Sequence, residues 1–453
     1  MKFTTTIAVA ITSAFFAALP VQASEIRISS LEELAEYASQ DGNTVTMEPG
    51  EYPLIDYIPL ESIPERREEE DWHFLEFSGS GNVFDLTDVT IEVDTELRNE
   101  LDPPIHNPEF VVSGSDNTLK GLTITNIGDG TSRGGNVLSV HGDDNTLRGV
   151  TLRVRGSFPY GYGDLLGKGG GSLVGLRKHS GLQITGNNTR VIGCEIYMRS
   201  FGHGFYIQDG ATNTYFEDCY VEGEMRSTDD MLAETSGPAH EVDFASVARN
   251  REGENKILPG YKKCLAEDGF RTYSGVEDVT FINCAAKHMR AGFELRHSGP
   301  IRIEDSKTIG HERGFWVGTD AVIEASRGDA KYGPLLFLEG EGSSVELELM
   351  PEDSEMNVHA LATIHGSDHE VSIGPWEGKE REEATPIKLG FSQPGGGQGM
   401  APIGERAAHN IALTNATSMP IIIGEQASGC EVVTQGEVLE NAGEDIAIES
   451  GAP

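Results

Sequence analysis

Five segments of this chain share the pattern Gly-apolar-X-apolar-X, and the X positions carry side chains suited to binding an acidic molecule. The segments are Gly175-Leu176-Arg177-Lys178-His179, Gly204-Phe205-Tyr206-Ile207-Gln208, Gly269-Phe270-Arg271-Thr272-Tyr273, Gly292-Phe293-Glu294-Leu295-Arg296 and Gly314-Phe315-Trp316-Val317-Gly318. Alternation along a strand puts Leu176, Phe205, Phe270, Phe293 and Phe315 on one side. The other side then presents two rows. One is Arg177, Tyr206, Arg271, Glu294, Trp316; the other is His179, Gln208, Tyr273, Arg296, Gly318. A merely solvated face carries Ser, Thr, Asn, Asp and Lys, whereas this one holds three Arg, two Tyr, a His and a Trp. Guanidinium forks match carboxylates and sulfates, and flat rings suit the faces of sugars. The alternative use of the same residues is a salt-bridged face, with Glu294 paired to Arg271 or Arg296.

His203, Asp268, Arg290 and Arg313 stand just before these strands, and Lys287, His288 and His297 lie close in sequence. Removal of a carbon-bound proton needs a positioned base and a neutralised negative charge. A hydrolase would instead need two carboxylates flanking the bond; Asp268 and Glu294 are the pair on adjacent segments, with Asp229, Asp230 and Asp243 as further acids. Tyr160 and Tyr162 lie in an insertion at 156–172, and His240 in another at 226–262. Both insertions leave and return at the same point of the repeat, so they are expected to flank the groove and supply substrate contacts. His359, His365 and His369 lack carboxylates at metal-binding spacing and read as surface histidines.

The elements that must position these residues come from a repeat. Blocks such as SGSDNTLKGLTI (113–124), HGDDNTLRGVTL (141–152) and TGNNTRVIGCEI (185–196) align one column: Val89, Leu122, Val150, Cys194, Cys219, Cys284, Ser306, Ser326. The intervals are 33, 28, 44, 25, 65, 22 and 20 residues. The short ones are single solenoid coils and the long ones are coils with insertions. Strands with no helical periodicity between them must stack as successive coils. The reading is an all-β chain, a single-stranded right-handed parallel β-helix with an N-terminal capping helix. A β-sandwich gives no reason for one residue class to recur in one column.

Residues 24–60 form the cap and first coil, with Ser30 and Glu33 as a capping box and Leu31, Leu34, Ala35 and Ala38 as the buried helix face. Residues 61–330 form the β-helix, and 331–453 form further coils or a closing β segment with a loop at PGGGQG (394–399). Residues 1–23 carry Lys2, an apolar run from Ile7 to Leu19, and Val21-Gln22-Ala23 before Ser24, the pattern of a signal peptide. The protein is therefore expected to be exported to the periplasm or the extracellular space, with no membrane span. Its five Cys do not form the spacing of a stapled domain; three belong to the inward column, where a small-residue ladder or one disulfide fits.

The chain has 453 residues, with 73 acidic and 34 basic side chains and a net charge of −39. That charge argues against a nucleic-acid partner, which needs phosphates neutralised by Lys and Arg. An anionic ligand can be held only by a local basic cluster such as the two rows above. A monomer is expected.

The cap with NTVTMEPGEY (43–52), the blocks from 78 to 326 and the Arg- and Tyr-bearing rows together resemble the pectate-lyase-like β-helix superfamily of carbohydrate-active proteins. The resemblance spans about residues 25–330. It implies an anionic polysaccharide or oligosaccharide as partner, and an activity among polyuronate lyase, uronan C5-epimerase and glycoside hydrolase. Lyases of the superfamily use an Arg or Lys base, often with Ca²⁺ on the substrate carboxylate; the resemblance makes Arg271, Arg296 and Lys287 the candidate bases here, with Tyr273 and His203 as alternative proton-transfer groups. Only Asp268 and Glu294 stand in or beside the rows as ligands, so no cofactor is assigned and Ca²⁺ stays an open alternative. The expectation is a polysaccharide lyase acting by β-elimination on a uronate-containing chain. The alternatives are a hydrolase or epimerase on the same scaffold, or a non-enzymatic glycan-binding protein.

Overall fold

The structure is a computed structural model that describes residues 25–131, 134–168, 171–296, 299–354, 356, 358–392 and 403–451. The expected signal peptide, His297 and the 394–399 loop lie outside the described residues.

Each coil contributes strands to three parallel ladders. The first begins with Glu25–Ile28 on Thr44–Met47 and runs to Ala447–Ser450. The second begins with Gly50–Pro53 on Val89–Asp94 and runs to Lys307–Ile309, where the long strand Ala321–Gly328 serves both ladders. The third contains 13 strands, from Leu75–Phe77 to Val438–Asn441. Parallel pairing with near-constant register, coil after coil through three ladders, makes the chain a parallel β-helix. The ladders continue past residue 331 through Ser344–Leu349, Glu370–Pro375, Ala412–Asn415 and Glu431–Thr434.

The aligned column is inside. Val89, Leu122, Val150, Cys194, Cys219, Cys284, Ser306 and Ser326 are each at most 2% exposed. The residue before each is held in the left-handed region: Asp88, Gly121, Gly149, Gly193, Asp218, Asn283, Asp305 and Ala325. Gly, Asn and Asp tolerate that turn best, which is why the blocks read G-L, G-V, D-C and N-C. The small side chains also accept hydrogen bonds from corner amides of the preceding coil: Cys194 Sγ from Val150 N at 3.4 Å, and Ser306 Oγ from Cys284 N at 3.1 Å. All five cysteines are buried free thiols, so no rung carries a disulfide. An asparagine ladder supports the opposite corner, with Asn82 Oδ1, Asn117 Oδ1 and Asn145 Oδ1 accepting from the amides of Asn43, Asn82 and Asn117 at 2.8–2.9 Å.

The helix Leu31–Ala38 closes the N-terminal end and buries Leu31, Leu34 and Ala38. Ser30 Oγ accepts from Glu33 N at 3.3 Å, but the Glu33 carboxylate reaches Ser29 N at 2.8 Å, so the return arm of the capping box closes one residue early. Helices also interrupt the coils where no helical periodicity was expected. Thr95–Leu101 is capped by Asp94 and buries Arg98, whose guanidinium bonds the Asn107 carbonyl.

The two insertions pack on each other. Tyr162, Leu165 and Leu166 from the first meet Met231, Ala239 and Ile257 from the second, forming a small core separate from that of the β-helix. The second insertion is anchored by antiparallel strands Met225–Ser227 and Lys262–Cys264.

Candidate functional site

The third ladder sets the site. Phe205, Phe270, Phe293 and Phe315 stack face to face inside, with centroids 4.7–5.1 Å apart and planes within 11°. Their neighbours Tyr206, Arg271, Glu294 and Trp316 are in register on the outer side.

The first expected segment is displaced. The strand that pairs with Phe205–Ile207 is His179–Ile184, and the rung before Phe205 is Leu182, not Leu176. Leu176 is only half-buried, and Arg177 and His179 are outside the rows. Gly-Leu occurs twice here, at Gly175 and Gly181, and only the second copy continues as Gly-apolar-X-apolar and runs straight into a turn block. Arg177 bonds Thr131 Oγ1 at 2.9 Å. His179 is 1% exposed, 3.2 Å from the equally buried Glu109, and burial outweighs that carboxylate in lowering its pKa.

His203, Tyr273 and Asp268 come together. His203 Nε2 lies 2.8 Å from the Tyr273 hydroxyl. Its Nδ1 is 3.2 Å from Asp268 Oδ2, off the line of a straight hydrogen bond. The anionic Asp268 favours the ring proton on Nδ1, which leaves Nε2 to accept from Tyr273. Glu267 Oε2 is 3.5 Å from Nε2, so a protonated ring would face a carboxylate on each side. Burial raises the Tyr273 phenol above its usual range, against the opposing pull of Arg271. The Arg271 guanidinium sits 4.8 Å from the centre of the Tyr273 ring.

Asp268 is held as a carboxylate. Burial alone would raise its pKa, but Arg290, then His203 and Arg271, take it well below the usual range. Arg290 grips it at 2.9 and 3.1 Å through one nitrogen. Arg290 is 4% exposed, so it orders the site from beneath rather than meeting substrate. Arg313 is likewise buried, 3.5 Å from Glu294 Oε2. Glu294 is a hub: it also binds Arg271 and, at 2.7 Å, Arg296. Arg271 is held above its usual pKa because Glu294 and Asp268 outweigh desolvation. A guanidinium kept charged in this way is a poor proton acceptor, which weighs against Arg271 as the base.

Other expected residues sit elsewhere. Lys287 belongs to the second ladder and pairs with Glu222 at 2.7 Å. Trp316 is 7% exposed and stacked against Arg296 at 4.1 Å, so it offers no free face. Tyr160 and Tyr162 donate to Glu224 at 2.6 Å and Glu234 at 2.8 Å within the wall of the insertions. His240 is edge-on to Phe244 in the helix Pro238–Glu241. His369 is 2% exposed and its Nδ1 accepts from Ser343 N at 3.2 Å, so it is no surface histidine.

Several residues were not found from the sequence. Lys178 Nζ holds both Glu267 oxygens at 2.8 and 2.7 Å. Lys263, fully buried, bridges Asp164 at 3.0 Å and Glu312. Asp164 in turn is 3.6 Å from Arg290, so the network passes from both insertions to Asp268. The available signal was the charged residues directly before the strand glycines, as in Glu267-Asp268-Gly269 and Glu312-Arg313-Gly314. Charges inside an otherwise apolar strand require buried partners.

These residues border a cavity of about 570 Å³, walled by His203, Tyr273, Tyr206, Gln208, Lys178 and Ser180 among others. The Tyr206 hydroxyl is anchored on Asn136 Oδ1 at 3.1 Å. Among the described residues, no Asp or Glu lines the cavity. The site does not fit Ca²⁺: among the described residues no group of three or more potential ligands converges, and Asp268 and Glu294 are committed to arginines.

No protein-family model and no curated protein matches the chain. Among solved structures it is similar to a PL6 alginate lyase in complex with a trisaccharide, at 12% identity and TM-score 0.44, over 96% of this chain and 87% of that one. A rhamnogalacturonan lyase matches at 13% identity and TM-score 0.43, over 79% and 83%. The endo-xylogalacturonan hydrolase from Aspergillus tubingensis matches at 10% identity and TM-score 0.36, over 95% and 100%. Likeness at this level assigns no chemistry to the chain.

Proposed function

We propose that this protein is a lyase that cleaves a uronate-containing polysaccharide by β-elimination, with Tyr273 and His203 as the proton-transfer pair. One observation carries the reading: a tyrosine hydroxyl 2.8 Å from an imidazole nitrogen, on the wall of a cavity that Lys178 lines and, among the described residues, no Asp or Glu does. Glycoside hydrolysis needs two carboxylates at the bond, and Asp268, the acid beside His203, is spent on Arg290.

In this reading the sugar carboxylate approaches Lys178, which already holds Glu267 and keeps one N–H for it, and that contact makes the C5 proton more acidic. Tyr273 oxygen takes the C5 proton as its own proton passes to His203 Nε2. The C4–C5 double bond forms and the C4–O4 bond breaks. The proton returns from His203 through Tyr273 to O4, so one proton has moved from C5 to the leaving oxygen. Asp268 and Glu267 hold the transient imidazolium. No metal is required by this donor set. Export is part of the proposal, since an extended polysaccharide is met outside the cytoplasm.

The test is incubation with polygalacturonate, alginate and glucuronate-containing polymers, following the ultraviolet absorbance of the C4–C5 unsaturated product. Absorbance that grows with new reducing ends supports elimination. New reducing ends with no absorbance would replace the lyase by a hydrolase.

A further inference from the structure

A second concave surface lies on the second ladder, where the insertions leave the coils. Its volume is about 480 Å³. The strands Thr123–Ile127, Thr151–Val154, Glu195–Met198 and Tyr220–Glu222 bring Thr125, Arg153, Tyr197 and Glu222 into one register row. Arg155, Arg199 and Glu224 stand just past the ends of the same strands and line the same groove.

The charges here are unevenly satisfied. Glu222 takes the Tyr220 hydroxyl at 2.8 Å and Lys287 at 2.7 Å. Glu224 takes the Tyr160 hydroxyl at 2.6 Å, and Arg199 reaches it only at 4.0 Å. The guanidinium of Arg153 lies over the Tyr197 ring at 4.6 Å, and Tyr197 is braced edge-on by Tyr220. Neither Arg153 nor Arg155 has a carboxylate partner within 4 Å among the described residues. On a chain of net charge −39, two unpaired arginines in one groove, one of them braced on an aromatic face, leave donor forks for a planar anion.

We infer that this groove is a second binding site for a carboxylated sugar segment, sharing no lining residue with the cavity of His203 and Tyr273, which holds the polysaccharide while another part of it is cut. The strand rows are about 4.8 Å apart, so the four coils span a short oligosaccharide. The identity of the ligand rests on the uronate reading above; the existence of the site does not.

The test uses the full chain carrying Tyr273→Phe, so that polymer is bound and not consumed. Retardation is measured in native gels containing polygalacturonate or alginate, with dextran as the neutral control. Arg153→Gln/Arg155→Gln in that background is expected to raise the apparent Kd for the uronate polymer by on the order of tenfold, the scale of losing two charge-assisted contacts. The same pair placed in the active protein should leave kcat on a short oligouronate unchanged and raise KM only for long polymer. Unchanged retardation in the double variant overturns the site, as does equal retardation by dextran or no retardation by either uronate polymer. Retardation that depends on Arg153 and Arg155, in a protein that forms no unsaturated product, sustains the site and removes the lyase reading.

Discussion

The Tyr273 hydroxyl meets His203 Nε2 at 2.8 Å across 70 residues of sequence, because the strands they flank, Phe205–Ile207 and Ala266–Thr272, are neighbours in one ladder. The intervening insertion leaves and returns without disturbing the register of Phe205 on Phe270. This places a proton donor and a proton acceptor in contact at the wall of a cavity.

Tyr273→Phe tests that contact most directly. The ring stays beneath Arg271 and only the hydroxyl is lost, so kcat should fall by about 10²–10⁴, the usual worth of a general acid–base group. Stability should drop by about 1 kcal/mol, the cost of one hydrogen bond. Steady-state kinetics with a denaturant titration separates the two. Retained kcat would remove Tyr273 from the reaction.

Glu294 makes a different prediction. Three guanidinium groups converge on a carboxylate that is 3% exposed. Glu294→Gln leaves them facing one another and should cost about 3–5 kcal/mol, the range for breaking a buried pair. Arg271→Ala leaves Glu294 with Arg296 and Arg313 and should cost less. Urea midpoints of the two variants check the order. The reverse order, or no change in either, would mean that these are screened surface pairs, worth about 0–1 kcal/mol.

The β-helix was legible because a coil repeats its demands. Every corner needs a left-handed residue followed by a small or apolar inward one, and Gly149-Val150, Gly193-Cys194 and Asn283-Cys284 announce both. The four rungs of the aromatic stack were legible for the same reason, and so was the proximity of Arg271, Tyr273, Glu294 and Arg296. The rung at Leu182 was not, because Gly175-Leu176 offers the same local pattern six residues earlier and only strand pairing separates them. Burial of the rows was also hidden. Alternation tells which side of a strand a residue occupies, not whether long side chains and insertions cover it, so Arg290, Arg313 and Trp316 read as groove residues and proved to be packed. The shared core of Tyr162, Leu166 and Met231 has no periodicity to reveal it.

That shared core changes what loss of the second insertion should do. Removal of residues 228–258 would expose Leu165 and Leu166, which are at most 1% exposed, and would disturb folding as well as turnover. Lys263 gives a cleaner probe of the same region. It is fully buried between Asp164 and Glu312. Lys263→Met should destabilise by about 3–5 kcal/mol, because two buried carboxylates lose their cation. Adding Glu312→Gln should recover part of the loss, since it removes one of the uncompensated charges. Thermal unfolding of the single and double variants reads this. A double variant less stable than Lys263→Met alone would show that Glu312 is held by other partners.

His359 supplies a pH prediction away from the site. Both ring nitrogens are buried, with no hydrogen-bond partner among the described residues. Desolvation, with Lys388 and Arg251 adding repulsion, lowers its pKa to about 4. An unfolded histidine titrates near 6.5. Between these values the unfolded chain binds a proton that the folded chain refuses, so stability is complete above about pH 6.5 and falls as the pH drops towards 4. Below pH 4 both states are protonated and the loss levels off. The full loss amounts to about 3 kcal/mol for a shift of this size. His359→Gln removes the titration, so its unfolding free energy should change less between pH 7 and pH 4 than that of the parent. Denaturant titrations at a series of pH values measure the difference, and parallel curves for the two proteins would show that the ring is hydrated in the folded state.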